Sequence, residues 1–425
     1  MGVLEELLRD VPLPRMVRVR QRFDDSRLED WERKLIRQLQ QPDLRGRLSP
    51  GARVAVAVGS RGIDRIDEVT RVIVTELRKT GAAPFIVPAM GSHGGATAEG
   101  QRAVLAKLGI REETVGAPIC SSMEVVRVDT LPNGLPVYAD KAAAEADAIV
   151  VINRIKPHTA FRAKIESGLM KMISIGLGKQ KGAEACHRLG FGQMAENIVD
   201  MGRILISRLP IVFGVALVEN AYDQLCHVEV VLSDQIETRE PTLLEMAKSR
   251  MPRLLFPDLD VLVIDRIGKN ISGDGMDPNI TGRYPTPYAQ GGPRVNKMVV
   301  LDLTSETGGN ANGVGTADFT TQRLVDQMDN IATYANGLTS TVVAPTKIPT
   351  TLPNDRLAVQ AAVKTCNILD LHLVKLVRIR DTLHLGEIRI SETLLPEAEQ
   401  HPDVEVLSQP EPMQFDGEGN FTDGW

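Results

Sequence analysis

Six side chains in this 425-residue sequence stand in settings that suit chemistry: Arg61, His93, His158, Lys171, His187 and Lys269. The densest setting is IKPHTAFRAKIESGLMKM (residues 155–172). There Pro157 fixes the approach to His158, and Lys156, Arg162, Lys164 and Lys171 surround it with Glu166 as the only anion. Buried charges are costly unless matched, so such a run either lies in water or meets something anionic. Lys171 has glycine and apolar neighbours that favour a nucleophilic amine; the plainer reading is a solvated lysine.

The other candidates lie in glycine-rich loops. GSHGGAT (residues 91–97) leaves His93 with little bulk to shield it, which suits an acid/base or simply a solvated histidine. GSRGIDR (59–65) lacks the GK[ST] of a phosphate loop, yet its turn can offer backbone N–H groups to an anion that Arg61 grips. GKQKGAEACHRLGFG reads as a loop entering a helix with His187 near the helix start. As a metal ligand, His187 would need partners from elsewhere, since no HxxxH or CxxH spacing accompanies it. IGKNISGDGMDPN (267–279) crowds glycine, asparagine and aspartate around Lys269, as a shaped binding turn would. Its acids could take a divalent cation, although the EF-hand spacing is missing.

The elements that must position these loops read clearly. RVAVAVGS (53–60), PFIVPAMG (84–91), DAIVVIN (147–153), IVFGVALVE (211–219), DVLVID (260–265) and KMVVLDL (297–303) are apolar, β-branched runs. Helical patterns at 66–81 and 97–110 separate the first of them. Continuously apolar strands alternating with helices predict an α/β protein with mostly parallel sheets covered on both faces. In such sheets ligands collect beyond the carboxyl ends of the strands, where four of these loops begin. Length predicts more than one domain. We expect an N-terminal α/β domain over 1–255, a C-terminal one over 256–390, and an acidic tail, 391–425, that packs back on the first.

The totals exclude several classes. A formal charge of −6 gives no basic footprint for nucleic acid. No apolar run approaches the ~18 residues of a membrane helix, and the N-terminal segment has no secretory pattern. The four cysteines are scattered without CxxC spacing, as expected of reduced thiols in a cytoplasmic protein.

His93, His158, Lys171 and His187, in this order and at these separations, resemble the nickel-dependent lactate racemase family, most specifically in the PH…K…H series from His158 to His187. The resemblance runs from about Arg53 through the IGKNISG loop. It implies two α/β domains with the active site in a cleft between them, and a nickel-pincer nucleotide cofactor. By the same resemblance His93 and His158 are the catalytic histidines, and Lys171 holds the pyridinium cofactor through a thioamide. His187 ligates nickel, Arg61 lies near substrate and cofactor, and Lys269 binds substrate. The implied reaction is racemisation or epimerisation of a small 2-hydroxy acid, with neither nucleic acid nor membrane as partner and a homo-oligomer left open. Two other readings stay open: a hydrolase or lyase with the histidines directly on a metal, and a non-catalytic binder of nucleotides or organic anions.

Overall fold

The structure is a computed structural model that describes residues 2–425. It is an α/β protein with mostly parallel sheets, as its apolar strand runs predict. Two compact units are present: Asp24–Met251, and the segment up to Phe23 together with Pro252–Trp425.

The Asp24–Met251 unit is built on a five-stranded sheet in the order Ala83–Pro88, Arg53–Val58, Ala148–Arg154, Ile211–Glu219, Leu225–Leu232. The first four strands run parallel and the last is antiparallel. Alternate residues of each strand point to opposite faces, and both faces are covered. Val54, Val56 and Val58 join one core with Ile86, Val150 and Ile152. Ala55 and Ala57 join the other with Val87, Ile149 and Val151. Register places Val58 opposite both Pro88 and Ile152, so three parallel strands release their following loops at one edge. Those loops carry Arg61, His93 and His158.

The other unit has an eight-stranded sheet whose centre, Arg294–Leu303, Asp258–Ile267 and Leu376–Ile379, is parallel. Here the expected domain assignment is corrected at both ends of the chain. Residues up to 23 leave the N-terminal unit because Met16–Gln21 pairs antiparallel with Glu387–Ser391, burying Val17 and Val19 completely. The 391–425 tail likewise belongs to this unit. Val404–Val406 pairs with Met16–Gln21, and Asp423 receives the buried guanidinium of Arg378 at 2.8 Å. Phe421 places its ring under that same guanidinium at 3.6 Å. The acidic, aromatic tail is therefore held by arginines of its own unit, where cation–π and ion-pair contacts coincide.

Candidate functional site

The His158 loop is an excursion closed at its base by Lys156 and Ser167, whose backbone groups exchange hydrogen bonds of 2.9 and 3.2 Å. Inside it, Glu166 is fully buried and answers much of the positive charge. Its carboxylate accepts from the His158 backbone N–H at 2.7 Å and lies 3.4 Å from Arg162 and 3.3 Å from Lys248. His158 stacks on Phe161, ring centroids 4.3 Å apart. Its Nδ1 accepts from the Ala160 N–H at 3.0 Å, so in the neutral ring the proton sits on Nε2. Burial drives the His158 pKa well below its ordinary value, and the charges of Lys171, His187, Lys156 and Arg162 add to the effect.

Lys171 ends the short helix Leu169–Lys171, and the chain runs on through a π-helical turn, Met172–Gly176. Such turns are rare and concentrate at functional sites. The widened turn packs tightly against the strand edge: a Cβ on Gly59 would meet Met172 Cε at 2.8 Å, and one on Gly176 would meet the Ala89 carbonyl oxygen at 2.8 Å. Lys171 Nζ lies 3.4 Å from Ser167 Oγ.

His187 does not open a helix, as its sequence setting suggests; it is the last residue of Lys179–His187. The helix begins at Lys179 and buries the small residues Gly182, Ala183 and Ala185. The ring's Nδ1 donates to the Ala183 carbonyl at 2.7 Å. Phe191 stands next to both histidines, with centroids 5.5 Å from His187 and 6.0 Å from His158. His158 and His187 thus flank one aromatic ring, and Lys171 lies close enough to lower the pKa of both histidines.

His93 and Arg61 form a second group on the adjoining loops. Arg61 donates to His93 Nε2 at 3.4 Å, and Ser60 Oγ bonds to Nδ1. An acceptor Nε2 places the His93 proton on Nδ1, the tautomer opposite to that of His158. The Gly91 N–H reaches the Gly176 carbonyl at 3.3 Å and fastens the His93 loop to the π-helical turn. Lys269 belongs to the other unit, where its Nζ donates to the Gly273 carbonyl at 2.5 Å. The acids of that loop serve its own turn. Asp277 caps Pro278–Thr281, and Asp274 accepts from Asn312 at 3.3 Å. Among the described residues no three His, Cys, Asp or Glu side chains converge to hold a metal, so the divalent-cation reading of this loop has no site.

Sequence reasoning passed over Glu166 as a structural anchor, and over Gln101, Lys179 and Glu240, all buried polar residues. No local signal marks them, since Glu166 lies in a loop and the other three sit on helices among other polar residues.

Residues 12–198, which contain Arg61, His93, His158, Lys171 and His187, match the model of the lactate racemase N-terminal domain. Over those residues the chain is similar to a lactate racemase N-terminal domain. Among solved structures it is similar to the lactate racemase apoprotein from Thermoanaerobacterium thermosaccharolyticum, with 14% identity and a TM-score of 0.52. That likeness covers 86% of this chain and 98% of the other, and it shows a shared fold. No curated sequence matches this chain.

Proposed function

We propose that this protein is a racemase or epimerase of a small 2-hydroxy acid that works by reversible hydride transfer with a nickel-pincer nucleotide held on Lys171. The observation that carries the reading is that His158 and His187 flank Phe191 while Lys171 lies close enough to lower the pKa of both, with Nδ1 of His187 bonded to Ala183 and its Nε2 left as the lone-pair nitrogen. The donor chemistry fits the group. Lys171 offers an amine for the thioamide, and His187 offers one neutral imidazole nitrogen, the single protein ligand needed when the cofactor supplies carbon and sulfur donors. When bound, that cofactor supplies a hydride acceptor and donor for substrate C2, chemistry no side chain here provides.

The chain's own residues bind, orient and move the proton. Arg61 grips the substrate carboxylate in bidentate fashion, and doing so draws its N–H away from His93 Nε2. His93 Nε2 is then a base for the 2-hydroxyl proton, while Ser60 Oγ holds Nδ1–H and keeps the ring in that tautomer. His158 presents Nε2–H, a donor in its resting state. Converting the Lys171 amine to an amide removes a positive charge that opposes protonation of His158, so its basicity rises once the cofactor is attached. Two histidines in opposite tautomers suit a reaction that runs in both directions. Lys269 is proposed to bind substrate, and the protein to act in the cytoplasm. Among the described residues no helix is long and apolar enough to cross a membrane.

Direct ligation of zinc by the three histidines has no support: among the described residues no three His, Cys, Asp or Glu side chains converge to hold a metal, and Ser60 and Arg61 engage His93. The test is intact mass with peptide mapping after production alongside the cofactor-building enzymes. A nucleotide-sized, nickel-containing adduct on Lys171, absent from Lys171→Arg, is expected. An unmodified Lys171 under those conditions sinks the reading.

A further inference from the structure

One lysine in the Asp24–Met251 unit is buried without any exposed surface: Lys179. It opens the helix that ends at His187, and its φ of +54° lies in the left-handed region, uncommon for a residue with a side chain. Two of its ammonium donors have hydrogen-bond acceptors, and a carboxylate adds an ion pair. Lys179 Nζ is 2.5 Å from the Pro88 carbonyl oxygen, 3.2 Å from Gln101 Oε1 and 3.1 Å from Asp140 Oδ2. Asp140 and Gln101 are also fully buried.

Gln101 turns this ion pair into a constraint on His93. A lysine has no acceptor, so Gln101 must show it Oε1, and the amide's two donors must then face the other way. There Nε2 donates to the carbonyl oxygens of Gly91 at 3.0 Å and His93 at 3.2 Å. The clamp falls on a stretch with little stiffness of its own, because Gly91, Gly94 and Gly95 all have positive φ. The same lysine that starts the His187 helix therefore sets the amide that pins the His93 loop.

We propose that Lys179, paired with Asp140 and acting through Gln101, is a positioning residue that holds His93 in register with the His187 helix. The proposal rests on the catalytic role given to His93 above, but its structural content does not depend on turnover. The relay acts on one histidine and leaves the other two in place.

The test uses the full chain with isotope-labelled histidine, reading imidazole nitrogen resonances and thermal stability of the apoprotein. Lys179→Met combined with Asp140→Asn removes the pair without stranding a buried charge. The expected result is a folded protein in which the His93 ring signals shift and lose the Nδ1–H tautomer, while those of His158 and His187 hold. Unchanged His93 signals in that folded variant overturn the proposal. Should the double variant fail to fold, Gln101→Met, which keeps the ion pair, decides on the same two outcomes. In cofactor-loaded enzyme we expect Gln101→Met to lose turnover tenfold or more with the Lys171 adduct intact. A wild type that carries no adduct and turns nothing over defeats the functional reading alone, since the resonance test stands apart from it.

Discussion

His187 gives its Nδ1 proton to the carbonyl oxygen of Ala183, 2.7 Å away and one helical turn back. The bond fixes the tautomer and leaves Nε2 with its lone pair. Burial pushes the His187 pKa below its ordinary value, the Ala183 carbonyl works the other way, and Lys171 lowers it further. A neutral ring with a fixed lone pair is a ready metal ligand. His187→Ala should therefore lose nickel at least about tenfold more readily than wild type, while Lys171 still carries the nucleotide. Metal analysis after desalting, beside intact mass, checks this; metal retained at the wild-type level would contradict it.

Glu240 should make stability depend on pH. It is buried on the helix Ile236–Arg250, and its Oε2 accepts from the Met170 N–H at 2.9 Å. Burial raises its pKa from 4.5 to about 7, against the lowering effect of the Met170 and Leu169 N–H groups. The folded state then binds more protons than the unfolded between these values, so stability falls as pH rises from 4.5 to 7 and the full cost stands above 7. The cost is on the order of 3 kcal/mol. Glu240→Gln should gain on wild type as pH rises through that window. Thermal melts at pH 5 and pH 8 that differ from wild type by the same amount would refute the assignment.

Removing the Glu166 carboxylate should be among the more damaging single changes near the site. It accepts from His158 N and neighbours Arg162 and Lys248 while fully buried. Glu166→Ala strands those partners and should cost about 3 kcal/mol in denaturant unfolding. Glu166→Gln, which keeps an acceptor for His158 N–H, should cost less.

Two glycines that touch Met172 should respond differently to alanine. At Gly59 the added Cβ meets the mobile Met172 Cε at 2.8 Å, which can swing aside. At Gly176 it meets Met172 Sδ at 2.6 Å and the backbone oxygen of Ala89 at 2.8 Å, which cannot. Gly176→Ala should cost about 1–3 kcal/mol, and Gly59→Ala less than about 1 kcal/mol. Equal melting temperatures for the two variants would show that the π-helical turn yields as a whole.

The strands were legible because burial on both faces demands continuous apolar runs: IVFGVALVE forms the strand Ile211–Glu219 end to end. The helix Ile66–Lys79 was legible because its one apolar face repeats at three and four residues. The π-helical turn after Lys171 was not, since MISIG carries no local mark that separates it from a glycine-rich loop. The antiparallel edge strand Leu225–Leu232 was missed as well, its burial being only partial.

Local chemistry and periodicity were enough to set the fold class, the loops that gather at the strand ends, and the candidate residues His93, His158, Lys171, His187 and Arg61, because side-chain type and spacing are local properties. Only the tertiary structure decided the rest. It placed both ends of the chain in one unit through the pairing of Met16–Gln21 with Glu387–Ser391 and Val404–Val406. It set the opposite tautomers of His93 and His158 through bonds to Arg61, Ser60 and Ala160. It matched Lys179 with Asp140 and Gln101, partners 39 and 78 residues away in the chain. Strand partners, tautomers and buried pairs depend on groups brought together from distant sequence, and no local pattern encodes them.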